Sequence, residues 1–165
     1  MPCWITWVNK MAVGLEQVFN VTPALVKDCY YIVDQTRPGE ATVLYNTLRE
    51  DVERRGHVMF VFNGAAFPLG FIKGQILRIP DFKSVGVVGI QSKIDYLFVD
   101  KKYQRAGIGA LLLRAYESYC RDNGVGNIIL YSAPTVQATG FYAKNGYVRM
   151  NGNLLMAKVL GMPSH

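Results

Sequence analysis

The apolar positions change period along the chain, and each change marks an element. Thr22-Pro23 sets a capping hydroxyl before a proline suited to a first helical turn. Leu25, Val26, Tyr30 and Ile32 follow near helical spacing and predict a helix to about Gln35. Arg37-Pro38-Gly39 breaks it, and a second helix is predicted from about Glu40 to Arg55, ended by Gly56. The pattern then becomes strand-like. His57 to Phe62 and Leu69 to Ile79 read as a strand and its return around Asn63-Gly64, and Val85 to Val99 is β-rich. Ile5 to Val8 is a further short strand. Helical spacing returns at Ile108, with Leu112, Ala115 and Tyr119 on one face, Arg114, Glu117 and Arg121 on another, and Gly124 placed to end the helix. Asn127 to Tyr131 is an almost wholly apolar run, as in a strand buried on both faces. Thr135 to Lys144 is a short helix, and Tyr147 to Met150 with Leu154 to Val159 form a final hairpin. This order predicts a single α/β domain over residues 1–165, a mixed sheet with helices on both faces.

Length and composition fit that reading. The 165 residues are half hydrophobic and 18% charged, which excludes a disordered chain. Cys3, Cys29 and Cys120 are odd in number and lack metal-ligand spacing, so reduced thiols in a cytoplasmic protein are expected and no metal site is. No signal peptide is read at the start, and no apolar run approaches the ~20 residues of a membrane span. The net charge of +6 favours anionic partners. The basic residues are scattered, without a basic-aromatic stripe, so a phosphate-rich cofactor is expected rather than nucleic acid.

One stretch supplies a place for such a group. Gln104-Arg105-Ala106-Gly107-Ile108-Gly109-Ala110 joins a strand ending near Val99 to a helix. The two glycines let a ligand approach the backbone, and the helix start offers unpaired N–H groups and the positive end of its dipole. Arg105 adds charge, and a pyrophosphate is a natural occupant. Tight packing explains such a turn equally well. Gly109-Ala110-Leu111 is not the Gly-Lys-Ser/Thr of a phosphate-binding P-loop, and Leu112 stands where a dinucleotide fingerprint needs its third glycine.

Together with its neighbours the turn is specific. Residues Ile94 to Tyr147 resemble the GNAT superfamily of N-acetyltransferases: Leu97-Phe98-Val99 matches its strand end, Gln104, Gly107 and Gly109 its Gln/Arg-x-x-Gly-x-Gly/Ala signature, and Phe141-Tyr142-Ala143-Lys144-Asn145-Gly146-Tyr147 its closing helix. The resemblance implies a mostly antiparallel mixed sheet with a splayed central strand pair, and acetyl-CoA as co-substrate. It implies that Leu97, Phe98 and Val99 pair with the pantetheine through their backbone. The turn from Gln104 and Arg105 through Ala106, Gly107, Ile108 and Gly109 to Ala110 would hold the pyrophosphate. Thr135, Ala138 and Phe141 would line the opposite wall, and Lys144 would approach a CoA phosphate. Tyr142 is similar to the family's general acid, which serves the leaving thiolate; packing on a helix face is its structural alternative.

The amine-activating side departs from the pattern. Many members carry Glu where Lys93 stands. Asp95, two residues on and so on the same strand face, is the candidate base, with a surface or hairpin-capping role as its alternative, and Tyr96 is expected to point oppositely. Deprotonation through water without a dedicated base is also open. The expected activity is direct transfer from acetyl-CoA to a primary amine of a small molecule or protein; the alternative is a non-catalytic acyl-CoA-binding regulatory module. The first two helices and the Pro80 to Gln91 stretch are expected to shape the acceptor pocket. Trp4 and Trp7 pack internally or form a homodimer contact, His57 is a strand residue, and Cys120 is core.

Overall fold

A computed structural model describes residues 13–43, 48, 56–78, 89–150, 152 and 154–161. Ile5 to Val8, Trp4, Trp7, Cys3 and His165 lie outside the described residues, as does most of the second predicted helix, which is helical at residues 38–43 and 48.

The first described strand, β1 (Gly14–Gln17), is one the sequence pattern does not predict. Glycine, Glu and Gln are poor strand formers. Pairing makes it one, with Leu15 opposite Phe62 and Glu16 opposite Val61 on β2 (His57–Asn63). Helix α1 (Pro23–Asp34) starts as read: Thr22 Oγ1 accepts from Leu25 N–H at 3.2 Å and Pro23 is first in the helix. β3 (Pro68–Arg78) returns antiparallel to β2, and β4 (Ile90–Val99) runs antiparallel to β3. Helix α2 (Ile108–Asp122) crosses over to β5 (Val125–Tyr131), which lies parallel to β4. Helix α3 (Val136–Lys144) leads to β6 (Val148–Arg149) and β7 (Leu155–Val159). The sheet order is β1-β2-β3-β4-β5-β7-β6, with β4 and β5 its parallel pair.

Each face of the sheet carries its own core. On one, Val58, Ile72, Ile94, Ile128 and Leu130 pack against Leu112, Leu113 and Tyr116 of α2. On the other, Met59, Val61 and Phe71 pack against Val26, Cys29, Ile32 and Val33 of α1. Cys120 is core as expected, but Glu117 is not on a solvated face: it is buried at 3% exposure, where Lys158 Nζ donates to both its oxygens at 3.0 and 3.1 Å and Tyr147 Oη donates at 3.4 Å. A buried carboxylate needs such partners, and a partner 41 residues away is invisible to helical periodicity. β5 is also not buried on both faces. Val125, Ile128 and Leu130 are buried, whereas Tyr131 is 66% exposed, because the second face of the strand borders a cleft.

Two irregularities of β4 position the site. Its ladder to β5 runs from Ile90–Val125 only to Ile94–Leu130, so Tyr96 to Val99 have a strand partner on the β3 side alone. The parallel strands therefore splay. Along β3, Gly74 pairs with Ile94 but Lys73 with Tyr96, leaving Asp95 as an extra residue in a β-bulge. The bulge shifts the alternation: Ile94, Leu97 and Val99 pack toward α2, while Tyr96 and Phe98 pack toward α1.

Candidate functional site

The splay opens a slot of about 140 Å³ lined by Leu97 and Phe98 of β4, Leu130 and Tyr131 of β5, and Ala138 and Tyr142 of α3. A larger cleft of about 950 Å³ adjoins it on the α1 side. The two share a wall of Arg37, Glu40, Ile94, Asp95, Tyr131 and Ala133. A long, thin ligand in the slot would thus present one end to whatever occupies the cleft.

Just beyond the C-terminal end of β4 stands the glycine-containing turn. Arg105 and Gly107 have left-handed φ values of +70° and +83°, and Gly107 caps α2 with no side-chain hydrogen bond. The first intrahelical bond is Leu111 N–H to Gly107 C=O at 3.1 Å, so the N–H groups of Ile108, Gly109 and Ala110 precede it without an intrahelical acceptor, an arrangement that suits an anion. A Cβ on Gly107 would meet nothing within 4 Å, and one on Gly109 would touch the Phe141 ring at 3.4 Å. The turn is pinned from below. Buried Asp100 accepts from Lys102 N–H at 2.9 Å and from Gln35 Nε2 at 3.4 Å, while Gln35 Oε1 accepts from Lys101 N–H at 3.0 Å.

The family profile for the acetyltransferase (GNAT) domain matches residues 42–163, most of the chain. The chain belongs to the GNAT superfamily of N-acetyltransferases. It is similar to an uncharacterized N-acetyltransferase, YjcF, of Bacillus subtilis (strain 168), 27% identical over 122 residues that cover 74% of this chain and 77% of that protein. In fold it resembles the PaiA N-acetyltransferase of Thermoplasma acidophilum solved with coenzyme A, at TM-score 0.67 and 16% identity over 91% of this chain and all of that one. It also resembles the ribosomal-protein-S18-alanine N-acetyltransferase of Escherichia coli, at TM-score 0.65 and 16% identity over 91% and 96% of the two chains.

Within this GNAT domain the sequence-derived residues converge unequally. Leu97, Phe98, Ala138 and Tyr142 line the slot. Val99 ends β4 with its side chain in the α2 core, and Phe141 packs on the same core. Gln104 turns back, donating from Nε2 to Val99 C=O at 3.2 Å, and so ties the turn to the strand end. Arg105 and Ala106 lie exposed in the turn. Thr135 caps α3, its Oγ1 accepting from Ala138 N–H at 3.1 Å, and lines the larger cleft rather than the slot. Lys144 is exposed in the last turn of α3.

Tyr142 is half-buried between Phe141 and Tyr147, with ring centroids 5.2 and 5.9 Å away. Burial pushes its phenol up to about 12 against a small opposing pull from Arg37, so it stays protonated at neutral pH. Asp95 stands on the shared wall, and both neighbours expected of it need revision. The bulge turns Tyr96 to its side of the sheet rather than away, and Tyr96 lines the same cleft. Asp95 is not a hairpin cap but lies 3.4 Å from Lys73 Nζ, 3.4 Å from Gln75 Nε2 and 3.9 Å from Lys93 Nζ. Lys73, Gln75 and Arg37 have no site role in the sequence reading, where Arg37 is only part of a helix break. Lys73 carried a faint signal, a cation amid the apolar run Leu69 to Leu77.

Proposed function

We propose that this protein transfers the acetyl group of acetyl-CoA to a primary amine of a small molecule or protein. The supporting observation is the slot at the β4/β5 splay, lined by both Asp95 and Tyr142, with the glycine-containing turn at the start of α2 following just beyond the end of β4. Backbone groups of Leu97, Phe98 and Val99 left without a β5 partner would receive the pantetheine as an added strand. The N–H groups from Arg105 to Ala110 would receive the pyrophosphate. Ala138 and Phe141 would form the facing wall, Thr135 would hold the start of α3, and Lys144 would reach a phosphate of the nucleotide.

The acceptor would enter through the larger cleft. Its nitrogen lone pair attacks the thioester carbonyl carbon, the C–S bond breaks, the nitrogen loses a proton, and an N-acetyl product and coenzyme A leave. Holding amine and thioester side by side across one shared wall supplies much of the rate. Asp95 steadies the incoming ammonium group and is positioned to take its proton, directly or through water. Tyr142 faces the leaving sulfur. A phenol that burial raises to about 12 is a weaker acid than an ordinary alkyl thiol near ~8.5, so full proton transfer to the leaving thiolate is uphill. Tyr142 therefore serves chiefly as a hydrogen-bond donor that steadies the developing thiolate. We place the reaction in the cytoplasm, because the buried free thiols Cys29 and Cys120 fit a reducing compartment.

Release of free coenzyme A, followed over a panel of amines with mass spectrometry of products, tests the proposal. Turnover should appear with at least one amine. Tyr142→Phe should lower kcat about 10- to 100-fold, the worth of a hydrogen bond to a charged group, with little change in the KM for acetyl-CoA. An unchanged kcat removes Tyr142 from the reaction. Acetyl-CoA binding without turnover of any amine would instead mark a binding module.

A further inference from the structure

The larger cleft carries an uneven set of charges. Among its described lining residues three cations, Arg37, Lys73 and Lys93, meet two carboxylates, Glu40 and Asp95. Arg37 is held by Glu40 at 2.8 Å, and the Lys73 ammonium, its side chain 2% exposed, lies against Asp95. Among these described residues Lys93 is the cation in excess. Its side chain is 37% exposed, and its Nζ is 3.9 Å from Asp95 Oδ1, beyond hydrogen-bond reach, and 5.7 Å from the Tyr131 ring centre. The cleft thus presents an ammonium and a carboxylate side by side, at the wall it shares with the slot.

A ligand complementary to that pair carries the opposite charges a few bonds apart. An acceptor amine seated on Asp95 would place a neighbouring anion on Lys93. A polycationic acceptor would bring its further charges against Lys93 and Arg37, where like charges disfavour it. Resting on the acetyl-transfer reading above, we propose that the acceptor is a small amino carboxylate: Asp95 receives its ammonium group and Lys93 holds its carboxylate. Lys93 then sets specificity, while Lys73 positions Asp95 from beneath.

Matched amines presented to the full-length protein with acetyl-CoA decide it: free amino acids, their carboxamides, the corresponding decarboxylated amines, and a polyamine. The expected result is turnover of amino acids with kcat/KM about 10- to 100-fold above that of their carboxamides and decarboxylated forms. Lys93→Gln should erase that preference mainly through KM, and Lys93→Arg should keep most of it. Both variants should melt with the wild type, since the side chain is partly exposed. Equal or better turnover of decarboxylated amines or the polyamine overturns the proposal, as does a preference that Lys93→Gln leaves intact. Acetyl-CoA binding is measured on the same samples by calorimetry. A wild type that acetylates other amines but no amino carboxylate defeats this inference and leaves the acetyl-transfer reading standing. A wild type that binds no acetyl-CoA, or binds it and acetylates nothing, defeats both.

Discussion

Single residues in this protein hold their places through neighbours that local pattern does not reveal. Gly74 is the clearest case. Tyr116 is fully buried, its Oη 2.6 Å from Ser92 Oγ, and a Cβ on Gly74 would collide with that hydroxyl and come within 2.5 Å of Lys93 C=O. Gly74→Ala is expected to cost about 1–3 kcal/mol by overpacking, seen as a Tm lower by roughly 2–4 °C for each kcal/mol. An unshifted Tm would mean that the Tyr116 ring and the β4 backbone at Lys93 both yield without loss. Cysteines at this scale are predictable in the opposite sense. Burial raises the thiol of Cys29 strongly and that of Cys120 to about 11, so neither presents a thiolate at neutral pH. Peptide mapping after brief alkylation of the native protein should find both unmodified, and labelling of either would place it nearer solvent than the fold has it. The residues around the glycine-containing turn were legible in the sequence because they form one contiguous motif. Lys73, Gln75 and Arg37 were not, because only the sheet register and the end of α1 bring them to Asp95.

At the scale of elements, helix α3 carries Tyr142 and must be held against the sheet. Lys158 of β7 does part of this: its Nζ donates to Glu117 of α2 and to Asn145 C=O at 2.9 Å, at the end of α3, while Tyr147 N–H donates back to Tyr142 C=O at 3.0 Å. Three elements meet at one buried ion pair. Lys158→Met would strand the Glu117 carboxylate and should destabilise the protein by about 3–5 kcal/mol in urea unfolding, well above a typical surface change. A loss under about 1 kcal/mol would show that Glu117 finds other partners. Elements with strong periodicity, such as α1 and α2, were readable to within a residue or two. β1 was not, because its strand character comes from pairing with β2, and the face of Glu117 was misread because its partner lies on β7. The bulge at Asp95 was hidden for the same reason: it exists only relative to β3.

For the whole molecule, the buried tyrosines set an alkaline limit. Tyr116 and Tyr147 are raised above the ordinary tyrosine range chiefly by burial, and Tyr142 to about 12. Unfolded tyrosines ionise near ~10, so above that pH the unfolded chain sheds protons the folded chain keeps. Their stabilising contribution is complete below about pH 10 and is lost as pH rises toward the folded values. Each tyrosine adds at most ~1.4 kcal/mol of lost stability per pH unit. Urea midpoints measured from pH 8 to 11.5 should stay level up to about 10 and then fall steeply, and a flat curve to pH 11.5 would contradict the burial of these rings. Among the described residues no helix is long and apolar enough to cross a membrane.

In the proposed complex acetyl-CoA lies in the β4/β5 splay with its pyrophosphate on the turn before α2. Backbone amide NMR of the full-length protein titrated with coenzyme A tests it directly. The largest shifts should fall on residues 95–99 and 105–110, with smaller ones along α3. Binding whose shifts cluster elsewhere, or the absence of any shift at millimolar coenzyme A, would contradict it.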